Sequence, residues 1–173
     1  FFLHLDLPEI NNLAPSTHPS DSQQRVSSRQ VLKSRQQSSL EASRLLEHIF
    51  IAELIKPSRE FWLAAPWITD ISIFDNRTGA FRAIEPSWTM EVSLVDVLLQ
   101  LMKRGTKVHV VTKTETADSD QYTQQFVDRL KYRTGGSLRD RLRVVQKEDF
   151  HLKGILSDDF WFHGSMNITH RGV

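Results

Sequence analysis

The chain has 173 residues, 39% of them hydrophobic and 25% charged, with a formal net charge of +1 and no cysteine. That balance suits one domain with a real hydrophobic core, and it excludes a strongly basic nucleic-acid coat, a disulfide framework and a thiolate metal site. No apolar run approaches the roughly 20 residues that a membrane-spanning helix needs, so the chain reads as soluble, and the lack of cysteine fits a reducing, cytoplasmic compartment.

The opening "FFLHLDLPEI" has no initiating Met and no basic segment, so it reads as an internal start and not as a signal peptide. Residues 1–37 are expected to form a polar N-terminal arm, extended or mobile, because Ser, Gln and Pro replace large apolar residues from Asn11 onward. Arg25, Arg29, Lys33 and Arg35 lie in that arm, where they could touch phosphates but are more economically read as part of a solvated polar segment.

From residue 38 the sequence reads as an α/β domain running to residue 173. "SSLEASRLLEHIFIAELIK" carries a helical apolar repeat closed by Pro57. "REFWLAAPWITD" has the length and apolarity of a strand buried on both faces. "EVSLVDVLLQLMKRG" predicts a helix ended by Gly105, and "TKVHVVTK" a second strand, so strand, helix and strand form a parallel crossover unit. "YTQQFVDRLKYR" adds a helix that the Gly135–Gly136 pair stops, and "RLRVVQKE" a third strand. The fold expected is α/β, a mostly parallel mixed sheet flanked by helices. "SIFDNRTGAFRAIEPSW" fits either a surface hairpin or a loop over the site. No internal repeat is visible, so any two-fold arrangement of active residues must come from a second chain.

The most specific stretch is "HLKGILSDDFWFHGSMN", His151 to Asn167. In a strand, residues two apart share a face, so His151 and Lys153 point together while Asp158 has the opposite parity. If "FWFHGSMN" forms the neighbouring strand, Ser165 and Asn167 also share a face and Gly164 lets a bound group approach the backbone. One nucleophile or proton carrier, one fixed cation and two neutral hydrogen-bonding groups suit a phosphodiester and its transition state.

These residues resemble the H-x-K-x4-D and G-S-x-N motif of the phospholipase D superfamily, and the resemblance extends to the order of elements from Phe61 onward. It implies a phospholipase-D-like domain and a metal-independent phosphodiesterase. By the family pattern His151 is the nucleophile that forms a phosphohistidine, Lys153 and Asn167 hold phosphate oxygens, Ser165 supports them, and Asp158 is mainly structural. No cofactor and no metal are implied. Two departures stand out: Asp158 and Gly164 are one residue closer than is usual, and the carboxylate or amide that commonly follows the motif to orient the His is expected beyond Val173.

The motif leaves the substrate open. Short chains with a single motif resemble bacterial endonucleases and phospholipase-D-like components of prokaryotic antiviral defence, which implies DNA as partner and a homodimer with a shared active site. A cation-rich run from Arg129 to Lys147 would suit a phosphate backbone. Arg139, Arg141, Arg143, Lys113 and His170 are the candidate substrate contacts. The alternatives are a phospholipid phosphodiesterase, with Phe160, Trp161, Phe162 and Trp88 as an apolar entrance, and a catalytically silent nucleic-acid-binding subunit of a larger complex. His163 is more economically read as structural or solvent-exposed, and His109, alternating with Val108 and Val110, faces either a helix or the site.

Overall fold

The computed structural model describes residues 2–6, 26–30, 38–114 and 121–169, with side chains from residue 41 onward. Among them a seven-stranded sheet has the order β2-β1-β9-β8-β3-β6-β7. Its strands are β1 (Phe2–Asp6), β2 (Val26–Gln30), β3 (Glu60–Ala64), β6 (Lys107–Lys113), β7 (Leu142–Lys147), β8 (Gly154–Leu156) and β9 (Phe160–His163). β4 (Ser72–Asp75) and β5 (Glu91–Ser93) form a separate antiparallel pair. Three helices complete the fold: α1 (Ser38–Ile55), α2 (Leu94–Lys103) and α3 (Tyr122–Arg133).

The sheet is mixed, as expected, yet less parallel than the sequence implied. Only β3 with β6 and β6 with β7 are parallel; β3 with β8, β8 with β9, β9 with β1 and β1 with β2 are antiparallel. The reason lies in the connections: helices carry the chain between parallel strands, whereas the three residues between β8 and β9 permit only a hairpin. Most of the arm expected over residues 1–37 lies outside the described residues, and the two segments within them are the strands β1 and β2.

Strand alternation decides which face is core. Phe61 and Leu63 of β3, Val108 and Val110 of β6, Ile155 of β8 and Phe160 and Phe162 of β9 are buried in one cluster with Phe50 and Leu54 of α1, Leu98 and Met102 of α2, and Phe126 and Leu130 of α3. The alternate residues, Glu60, Trp62, His109, Leu156 and Trp161, are half-buried or exposed. β3 is therefore not buried on both faces, because all three helices join the core on the same side.

The crossover helix α2 has a locally encoded start and stop. Ser93 Oγ accepts from Asp96 N at 3.3 Å while Asp96 Oδ2 accepts from Ser93 N at 3.0 Å, a reciprocal cap that satisfies two otherwise orphaned amides. Gly105, at φ +109°, turns the chain from the end of α2 into β6. The stretch after β4 is a hairpin organised by buried Asn76, whose Nδ2 donates to Trp88 O and whose Oδ1 accepts from Phe81 N. Its tip contacts the end of α2 through Gln100 and Lys103, at the amino end of the sheet, so it does not cover the motif.

Candidate active site

The β8–β9 hairpin brings the two halves of the motif together. Gly154 pairs with His163, Ile155 with Phe162 and Leu156 with Trp161, and the Gly164 amide donates to Lys153 O at 3.2 Å. The ladder thus continues one step past the strands, placing Lys153 opposite Gly164. His-x-Lys leads into one strand and Gly-Ser-x-Asn leaves the other at the same end. Gly154 makes the pairing tight: a Cβ there would sit 2.5 Å from Phe162 O. The close backbone approach seen here is at Gly154 and is to the neighbouring strand.

That end of the hairpin lies at the carboxyl edge of the parallel strands. Gly154 is paired with Ala64, the last residue of β3, so Lys153 and His151 fall beyond it, where open α/β sheets bind ligands. Ala65 N still donates to Val111 O of β6, and β3 ends there because Pro66 has no N–H to give. His151 and Lys153 consequently lie just before β8 and not within a strand. His151 is exposed, Lys153 is half-buried, and Lys153 Nζ donates to His151 O at 3.2 Å.

Asn167 is held at the same edge. Ile168 forms an isolated parallel bridge with Ile68, and Thr69 N donates to Ile168 O at 2.8 Å. Asn167 therefore lies one step from the bridge, beside Trp67. Its Oδ1 and the Thr69 hydroxyl are buried without a hydrogen-bond partner among the described residues, polar capacity that a bound group would satisfy. Asp70 is already committed: Oδ1 accepts from Val95 N and Oδ2 lies 2.7 Å from Arg129. Ser165 is exposed.

Asp158 sits at the opposite end, separated from Lys153 by Ser157 and the three residues of β8, themselves about 10 Å of strand. Its Oδ2 accepts from Arg59 N and from Arg59 Nε, each at 3.0 Å. The Arg59 amide and then its guanidinium hold the Asp158 carboxyl below the usual carboxylate range. Asp158 N donates in turn to Ser58 Oγ, which donates to Glu53 Oε1 at 2.8 Å. The closed end of the hairpin is thus clamped to the junction of α1 and β3.

Ser58→Ala is expected to destabilise the fold by about 1–3 kcal/mol, because Ser58 is buried and its loss leaves the buried Glu53 carboxyl short of a donor. Burial pushes Glu53 above the usual carboxylate range, so folding favours its protonated form. The penalty should shrink as pH falls through that raised value. Urea unfolding of both proteins at neutral and acidic pH checks this; a difference within about 0.5 kcal/mol at neutral pH would contradict it.

Of the candidate substrate contacts, only Lys113 reaches the carboxyl edge with the motif. It is paired in register with Lys147, the last residue of β7, and neither lysine has a carboxylate partner among the described residues. Arg139 and Arg141 lie in the 3-10 turn Gly136–Arg141 before β7, at the amino edge, where Arg141 Nη1 donates to Gly105 O. Arg143 lies mid-sheet beside His109. His170 is outside the described residues. His109 stacks on Trp62 at 4.0 Å on the face away from the helices, and burial lowers its pKa. His163 lies 4.7 Å from Trp161. Among the described residues no three His, Asp or Glu side chains gather as metal ligands, and no helix is long and apolar enough to cross a membrane.

The α/β sheet thus carries a His-x-Lys and Gly-Ser-x-Asn hairpin at its carboxyl edge. Residues 78–173, more than half of the chain, match the family model described as "Cardiolipin synthase, PLD-like domain". The chain belongs to the phospholipase D superfamily, a superfamily of phosphodiesterases. No curated protein matches the sequence. Among solved structures, polyphosphate kinase from Porphyromonas gingivalis is similar over 70% of this chain at 14% identity, with a TM-score of 0.41. The chain spans 16% of the length of that kinase.

Proposed function

We propose that the protein is a metal-independent phosphodiesterase that cleaves nucleic acid through a phosphohistidine on His151, with a second copy of the chain completing the site. The observation that carries this reading is the Gly164 to Lys153 hydrogen bond at the open end of the β8–β9 hairpin, which gathers His151, Lys153, Ser165 and Asn167 at the carboxyl edge. In this reading the His151 imidazole attacks phosphorus, Lys153 and the Asn167 amide neutralise and hold the non-bridging oxygens, and Ser165 adds a hydroxyl donor. Lys153 supplies the fixed charge that a metal ion supplies in other phosphodiesterases. Asp158 contributes by pinning the far end of the hairpin.

A polyanionic substrate, of which nucleic acid is the extended case, is supported by the Lys113–Lys147 pair. Two ammonium groups on adjacent strands, about 5 Å apart at the backbone, repel each other unless an anion lies between them, and a phosphate one nucleotide from the cleaved bond would do so. Hydrolysis of DNA, RNA and bis-nitrophenyl phosphate in EDTA, beside phospholipid vesicles, tests the proposal. Activity on nucleic acid and on the small diester is expected to survive chelation. Loss of all activity on chelation, restored by Mg²⁺ or Zn²⁺, would overturn it.

A further inference from the structure

Burial normally removes tryptophan from water, yet Trp67 is 40% exposed and Tyr122 58% exposed. Both lie at the carboxyl edge. The Ile68 amide donates to Thr123 Oγ1 at 3.2 Å, so the residues just before each partner, Trp67 and Tyr122, flank one contact between the end of β3 and the start of α3. Ile68 is bridged to Ile168, which sets Asn167 beside Trp67. Pro66 O accepts from Lys113 N at 3.3 Å, which sets the lysine pair on the other side. Trp67 is two residues past Ala65, the position level with Lys153, at most about 7 Å along the chain.

We propose that Trp67, with Tyr122, is a stacking platform for a base next to the scissile phosphate, and that the substrate is therefore single-stranded nucleic acid. This rests on the phosphodiesterase reading and deepens it. An exposed aromatic face beside a pair of lysines is the combination by which proteins hold single strands: the cations follow the phosphates and the ring takes a base face. In a duplex both faces of every base are already stacked, so such a platform has nothing to bind until the base is released. A membrane surface also accepts Trp, Tyr and Lys. The strand is the occupant proposed, because the aromatic face and the lysine pair together match base and phosphate, and vesicle flotation separates it from a membrane.

The test compares fluorescence-anisotropy titrations of a labelled single-stranded oligonucleotide with those of an abasic strand of equal length, at fixed salt. Stacking of one base predicts that the wild-type protein prefers the base-bearing strand by about five- to 150-fold. Trp67→Ala should bring that ratio close to one and Trp67→Phe should retain most of it. Equal affinity of the wild type for both strands would overturn the platform, as would a ratio unchanged in Trp67→Ala. Equal weakening of both strands in that variant would mark Trp67 as structural and overturn it too. Flotation with anionic vesicles that depends on Trp67, in a protein without base preference, would replace the strand by a membrane. Hydrolysis of bis-nitrophenyl phosphate by the wild type, measured alongside, separates the readings: turnover without base preference overturns the platform alone, and absence of turnover overturns the phosphodiesterase reading beneath it.

Discussion

His151→Ala is expected to lower phosphodiester hydrolysis by about four orders of magnitude or more while leaving the fold intact. The size follows from the role: without the nucleophile the covalent route is closed, and what remains is charge stabilisation by Lys153 and Asn167 acting on water. The intact fold follows from the position. The His151 side chain is exposed, lies in the loop before β8 and makes no packing contribution to the core, so unfolding should shift by less than about 0.5 kcal/mol. Steady-state rates with thermal unfolding of the same preparations decide the matter. A variant that keeps more than roughly a tenth of the rate with unchanged unfolding would show that His151 is not the nucleophile.

The second large effect concerns the leaving group. Displacing an ester oxygen requires a nucleophile on one side of phosphorus and an acid roughly in line on the other, because an alkoxide leaves poorly unprotonated. One imidazole cannot serve both sides at once. On the proposed reading, a two-fold dimer in which both copies of His151 face one phosphate would supply the pair. A mixed dimer of wild type and His151→Ala, purified through two different tags, should then be nearly inactive, since its only site lacks either the nucleophile or the acid. Independent sites would give about half the wild-type rate. That value, or a fully active monomer in solution, would refute the shared site.

Local elements are legible in this sequence because their signals are local. Phe126, Val127 and Leu130 recur at helical spacing, and α3 covers the segment Tyr122–Arg133 read from it. Gly105 marks the end of α2, while its start lies three residues later than the segment read from the sequence, after strand β5 and the Ser93 cap. The motif is legible for the same reason: its halves are joined by one hairpin. What is not legible is long-range. Nothing near Asp158 announces that its partner is Arg59, 99 residues earlier. Trp67 sits where the apolar run ends, between Pro66 and Asp70, and nothing in that run announces that its ring is exposed. The basic run before the motif misleads in the opposite direction. Its density promises a phosphate track, but Arg129 pairs with Asp70, Arg133 with Asp96, and Arg141 holds the Gly105 carbonyl. The cations at the edge, Lys113 and Lys147, stand 34 residues apart and meet only because β6 and β7 are parallel.

Whether His151 carries the phosphoryl group during turnover is decided by trapping. Protein mixed with substrate and quenched within a turnover is digested and mapped by mass spectrometry under alkaline conditions, where a phosphoramidate on imidazole survives. A phosphohistidine mechanism predicts a substrate-derived adduct on the His151 peptide that acid removes and that is absent from His151→Ala. An adduct on another residue, or sustained turnover with no adduct on His151 at any quench time, would contradict it.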